Sequence, residues 1–169
     1  QVCNAVAFAH NRGIVHNDIK PSNVMLGTFG EVYVVDWGLA VEWVDDGPGI
    51  RRRADVTRPC GTPGYLPPEL GLGRGCEIGP WTDVYLLGGV LFHILCGRAP
   101  RAGCSLFEAI EQAVAEEAPE VPGDAPTRLK ALCRWAMNPD PSKRPPSVDA
   151  FKAEIETFRS TITSVLTDS

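Results

Sequence analysis

At 169 residues, with 44% hydrophobic and 22% charged, the chain has the composition of one ordinary globular domain, long enough to bury roughly 70% of the surface its unfolded form exposes. A net charge of −5, with Arg51-Arg52-Arg53 as the only basic cluster, argues against a nucleic-acid footprint. The longest apolar stretch, Val84 to Gly97, has 14 residues and contains His93, short of the ~18 that suggest a membrane span. Six cysteines without a C-x-x-C spacing indicate neither a zinc site nor a disulfide framework. The expectation is a soluble, cytoplasmic protein with reduced thiols. Because the chain opens at Gln1 rather than Met, it reads as a fragment.

Gln1 to Asn11 places Val2, Val6, Ala7 and Phe8 at helical intervals, with Gly13 as the stop. His10 on this helix reads as a packed or capping residue. Val24-Met25-Leu26 and Val32-Tyr33-Val34-Val35 are short apolar or β-branched runs, which predict strands. The turn Gly27-Thr28-Phe29-Gly30 predicts a hairpin between them. Such a hairpin brings Asp36, after one strand, beside Asn23, before the other. Two oxygen-bearing side chains then converge, a donor set that suits Mg²⁺, which takes carboxylate and amide oxygens together with phosphate. Asp18 and Lys20 lie just upstream, one able to accept a proton and the other to neutralise phosphate charge.

After Gly38, Trp43, Asp45-Asp46, Gly47-Pro48-Gly49 and the three arginines mix turn formers with charge, the composition of a mobile surface loop. Pro80-Trp81-Thr82-Asp83 opens a helix with Thr82 or Asp83 as N-cap. Val84 through Cys96 is apolar on nearly every side, with Gly97 as the stop, and predicts a fully buried helix. Ser105 to Glu117 reads as amphipathic, with Leu106, Phe107, Ile110 and Val114 on one face. Thr127 to Met137 follows with Leu129, Leu132 and Trp135, and the last helix runs from Ser147 to about Leu166. The predicted fold class is mainly α with a small β-hairpin.

His16-Asn17-Asp18-Ile19-Lys20-Pro21-Ser22-Asn23 resembles the catalytic loop of serine/threonine protein kinases, H-R-D-L-K-x-x-N, and Asp36-Trp37-Gly38 resembles their D-F-G. Gly61-Thr62-Pro63-Gly64-Tyr65-Leu66-Pro67-Pro68-Glu69 resembles G-T-x-x-Y-x-A-P-E, with Pro67 in place of Ala. Asp83-Val84-Tyr85-Leu86-Leu87-Gly88 is similar to D-V-x-x-L-G, and Asp140-Pro141-Ser142-Lys143-Arg144-Pro145 to D-P-x-x-R-P. Order and spacing carry the likeness more than any single motif. It extends over essentially the whole chain, leans towards the bacterial branch, and covers a kinase-like C-terminal lobe alone. In the family's terms, residues 14–23 are the catalytic loop, 36–69 the activation segment, 82–97 the buried central helix and 105–166 the remaining helices.

The resemblance implies a transferase in signalling, moving phosphate from ATP, with Mg²⁺, to a Ser or Thr hydroxyl of a protein. Asp18 would accept or orient the substrate proton, and Lys20 would reach the γ-phosphoryl. Asn23 and Asp36 would hold Mg²⁺, while Met25 would either floor the adenine or pack as core. Thr62 would contact Asp18 and Lys20 once substrate is engaged; otherwise its hydroxyl caps a turn. Structural roles fall to His16, Gly38 and Asp83, the last bonding catalytic-loop amides, and to Glu69 and Arg144 as a buried ion pair. Asp and Asn also serve as plain turn residues, which is the alternative reading of the two loops.

Three departures qualify the likeness. Asn17 replaces the Arg that pairs with a phosphorylated activation loop, and Asn cannot make that charge-assisted bond. Thr57 remains the obvious phosphoacceptor, with Arg51 to Arg53 as partners, or is simply solvated. Trp37 keeps a large ring where the family has Phe. Third, the glycine-rich loop, strand lysine and paired helix glutamate do not occur, so the expectation is a C-lobe whose partner is the N-lobe and which alone binds ATP poorly. Two other functions compete: a pseudokinase-like or truncated interaction module, and a small-molecule phosphotransferase of the aminoglycoside or choline kinase type.

Overall fold

The structure, a computed structural model, describes residues 1–44, 49–115 and 119–167. Asp45 to Pro48 of the loop expected to be mobile, and Glu116 and Glu117 of the predicted 105–117 helix, lie outside the described residues. The fold is organised around helix α3 (Pro80–Cys96). Its Val84, Tyr85, Leu86, Leu87, Leu91 and Phe92 are buried, each contributing roughly 1.5–3 kcal/mol of apolar burial. Helix α5 (Thr127–Ala136) lies against α3. The approach is close because Gly88 carries no side chain: a Cβ there would stand 2.8 Å from the Cβ of Ala136. Helices α1 (Val2–His10) and α6 (Val148–Thr167) pack on α3 and on each other.

The central helix differs from its expected 82–97 span. Gly79 is the N-cap and Pro80 the first helical residue, where its missing N–H costs nothing. Thr82 and Asp83, expected as caps, sit inside the first turn; the Thr82 hydroxyl accepts the Gly79 N–H at 3.2 Å. Nor is the helix buried throughout. Beyond Phe92 it emerges, with Ile94 72% exposed, and ends at Gly97 with φ 69°, a left-handed cap that glycine adopts without strain.

Helix α4 (Leu106–Ala115) keeps Ile110 of its expected apolar face partly buried against the core, but not Leu106, Phe107 or Val114. Ala109 and Ala113 are buried, Phe107 is 85% exposed, and Leu106 and Val114 are exposed as well. The reason is proximity to the short helix α2 (Pro68–Gly71), where a Cβ on Gly71 would come within 2.9 Å of Ile110 Cγ1. Small residues fit this contact. On α5, Leu129, Leu132, Cys133 and Ala136 form the buried stripe and Trp135 lies outside it, exposed.

Strands β2 (Val24–Leu26) and β3 (Val32–Val34) pair antiparallel, Val24 opposite Val34 and Leu26 opposite Val32. A second pair, β1 (Ile14–Val15) with β4 (Val41–Glu42), was not anticipated; two-residue strands are too short to display a period. The segment from Asp36 to Glu69 is therefore not structureless. It contains β4 and 3₁₀ turns at Arg53–Asp55 and Pro63–Tyr65, and it covers a second apolar cluster of Val15, Val41, Val56, Leu66, Leu70 and Ile78. All six cysteines are free. Among the described residues, no helix is long and apolar enough to cross a membrane.

Candidate active site

The loop joining β1 to β2 begins at His16 and ends in a 3₁₀ turn, Pro21–Asn23. Its conformation is set from below. Asp83, fully buried in the first turn of α3, accepts the His16 N–H at 2.8 Å on one oxygen and the Asn17 N–H at 2.9 Å on the other. The same carboxylate lies 2.8 Å from His10 Nε2 on α1, so His10 is a packed hydrogen-bond partner rather than a cap. Asn17 has φ 67°, a left-handed conformation that Asn tolerates better than most side-chain-bearing residues. Its amide donates to the Leu39 carbonyl at 3.0 Å, joining the loop to the segment after Asp36.

On this frame three polar side chains close a triangle. Lys20 Nζ donates to Asp18 Oδ2 at 2.7 Å and to Thr62 Oγ1 at 2.6 Å, and the Thr62 hydroxyl donates to Asp18 Oδ1 at 2.7 Å. The Asn23 amide donates to the Asp18 carbonyl at 2.8 Å and more weakly to Asp18 Oδ2 at 3.3 Å. Its own carbonyl oxygen is left to other partners. Asp18 is thus fixed by Lys20, Thr62 and Asn23 while still retaining acceptor lone pairs.

The hairpin delivers Asp36 to the same end. The Val35 N–H bonds to the Asn23 carbonyl at 2.9 Å, continuing the β2–β3 ladder by one pair and placing Asp36 immediately after it. Asp36 is exposed with φ 62°, and its Oδ1 receives a long bond from the Gly38 N–H, 3.4 Å. Trp37 packs its ring on buried His16 at 4.5 Å between centroids and donates to the Val34 carbonyl. His16 in turn contacts the Val35 carbonyl through Nε2 and accepts the Asp18 N–H on Nδ1 at 3.2 Å. Met25 is 58% exposed opposite its exposed cross-strand partner Tyr33, and the same hairpin carries exposed Leu26 and Phe29.

The 36–69 segment is anchored at its far end. Arg144 and Glu69 form a two-fold pair, Nη1 to Oε1 at 2.6 Å and Nη2 to Oε2 at 2.9 Å, with both side chains buried. Arg144 spends its remaining donors on the carbonyls of Asn138, Trp81 and Pro139. This unites motifs separated by 75 residues. The protein kinase domain family matches residues 1–154. The chain belongs to the protein kinase family.

Relatives of the chain include the serine/threonine-protein kinase PknD of Protochlamydia amoebophila, 31% identical over 175 residues, which cover 93% of this chain and 18% of the relative. Serine/threonine-protein kinase pkn3 of Myxococcus xanthus is 32% identical over 167 residues, 92% of this chain and 30% of its own. Sperm motility kinase Z of Mus musculus is 31% identical over 149 residues, 88% of this chain and 28% of its own. The chain therefore spans under a third of the length of these relatives.

Several side chains of the kinase region escaped sequence reasoning. Tyr65 hydrogen-bonds His93 Nδ1 at 2.6 Å and lies nearly parallel to its ring; burial pushes the phenol up from its ordinary value. Burial does the same to the Cys60 thiol, opposed by the positive charge of Arg51. Arg101 is 3% exposed beside Tyr85, with no partner for Nε and Nη1 among the described residues. Neither contact has a motif, because each joins positions that local spacing does not relate. Thr57 is exposed, as its solvated reading expects, while Arg51 donates to the Asp55 carbonyl and Arg53 to that of Ile78.

Proposed function

We propose that this chain is the catalytic part of a serine/threonine protein kinase that transfers phosphate from ATP to a protein hydroxyl. What supports the reading most is the Asp18–Lys20–Thr62 triangle, in which a carboxylate from one loop, its ammonium partner and a hydroxyl of the activation segment lie within 2.7 Å contacts. Bound MgATP supplies the transferable phosphoryl group. Asp18 would accept the proton of the incoming substrate hydroxyl, a role typically worth about 10²–10⁴-fold. Lys20, held between Asp18 and Thr62, would stabilise negative charge accumulating on the phosphoryl oxygens, since positioning and neutralisation are most of what this chemistry asks of a protein.

The donor set fits the metal. The Asn23 carbonyl oxygen and the Asp36 carboxylate are hard oxygen ligands, and two protein ligands with phosphate and water completing the shell is the usual arrangement for Mg²⁺. Among the described residues, no cluster of three or more His, Cys, Asp or Glu offers a rival site. The exposed apolar residues Met25, Leu26, Phe29 and Tyr33 fit the seat of an N-terminal lobe, with Met25 beneath the adenine. To test the acceptor class, the complete protein is incubated with MgATP and either a basic protein or an aminoglycoside. Phosphoserine or phosphothreonine on the protein is the expected product. Phosphorylated aminoglycoside with unmodified protein refutes the reading in favour of a small-molecule phosphotransferase.

A further inference from the structure

Glu42 belongs to no motif of the kinase site, yet it is only 5% exposed. A carboxylate buried to that degree needs donors, and here the backbone supplies them. Its Oε1 accepts the N–H groups of Gly49 and Ile50, the latter at 2.8 Å. The Glu42 N–H donates to the Arg51 carbonyl at 2.8 Å, and Glu42 pairs with Arg52 in a β-bridge. The stretch so captured is fastened onward. Arg53 Nη1 donates to the Ile78 carbonyl at 2.8 Å, just before α3, and the carbonyl of buried Val56 accepts the Gly75 N–H at 3.0 Å. Residues 60–65, which present Thr62 to Asp18, follow directly.

We propose that Glu42 is a positioning residue of the activation segment, whose carboxylate holds residues 49–52 so that the substrate-facing part is ordered without phosphorylation of Thr57. The proposal rests on the protein kinase reading above. Phosphorylation orders such a segment by giving cations a new anion to pair with. This chain brings its own anion and spends it on backbone N–H groups. The position that would offer a cation, Asn17, is instead a buried amide bonded to Leu39, and Arg51 and Arg53 donate to backbone carbonyls.

The test uses the complete, phosphatase-treated protein, with amide hydrogen exchange resolved at residues 49–52 and steady-state kinetics on a protein substrate. Gly49 and Ile50 amides should be protected in the unmodified protein and exchange at least tenfold faster in Glu42→Ala. That variant should raise KM for the protein substrate severalfold and leave KM for ATP unchanged. Glu42→Gln, which keeps an acceptor oxygen, should restore both readouts. Unprotected amides in the unmodified protein overturn the proposal whether or not any variant folds. So does a Glu42→Ala protein with wild-type exchange, or a protein-substrate KM that falls only after Thr57 is phosphorylated. If the unmodified protein transfers no phosphate at all, the kinase reading has failed, while the exchange data still decide whether Glu42 holds the segment.

Discussion

Replacing Asp83 with alanine is the most informative perturbation of the fold. Its carboxylate accepts two backbone N–H groups, of His16 and Asn17, and pairs with His10, all within 2.9 Å and at a fully buried position. Alanine leaves both amides buried without an acceptor, at about 1–3 kcal/mol each, or roughly 2–6 kcal/mol before the loss of the His10 partner. Against a typical total of about 5–15 kcal/mol, that is a large fraction of the stability. In urea, with a slope of about 1–3 kcal/mol per molar, the midpoint should fall by on the order of 1–3 M. Asp83→Asn keeps one oxygen but turns an amide N–H towards a donor, so it should lose less than alanine and more than a surface substitution. Equilibrium urea unfolding followed by far-UV circular dichroism, with slopes compared to confirm two-state behaviour, measures all three proteins. An alanine variant within 1 kcal/mol of the parent would falsify the claim that Asp83 is what holds the catalytic loop.

Two further outcomes follow from buried groups outside the triangle. Arg101→Met should raise stability by about 1–3 kcal/mol, because a guanidinium whose Nε and Nη1 are buried with no partner among the described residues costs more than an apolar side chain of similar length; a lower melting temperature would show that Arg101 has a partner after all. Burial pushes the Cys133 thiol up to about 12, with neighbouring Cys96 adding to the rise. Between the ordinary value of 9.0 and about 12, the unfolded chain has lost that proton and the folded one has kept it. This contribution is therefore full below pH 9 and drains away as pH rises. Cys133→Ala should flatten part of the alkaline loss of stability, and in the native protein a thiol reagent at pH 8 should modify exposed Cys76 while sparing Cys133.

The β2–β3 hairpin was legible because a glycine-flanked turn separates two β-branched runs, and its ladder places Asp36 one residue past the partner of Asn23. Nearness of Asp18 and Lys20 was legible from their separation of two residues, and the pairing of Glu69 with Arg144 from motif likeness alone, since 75 residues separate them. Other features had no local signature. The β1–β4 pair is too short for a period. Helix α4 buries alanines because α2 approaches closely, a tertiary fact invisible in the pattern of large residues. Asn17 read as the loss of an arginine, whereas its left-handed backbone and its bond to Leu39 give the amide a structural purpose. Glu42, in a stretch whose composition suggested a mobile loop, holds backbone that composition could not locate.

The central claim is that Asp18 takes the substrate proton, and Asp18→Asn in the complete protein tests it most directly. The change preserves size and removes the base. Phosphate transfer to a protein substrate at saturating MgATP should fall by about 10²–10⁴-fold, with a cooperative melt retained. An Asp18→Asn protein that transfers phosphate at the parental rate contradicts the claim.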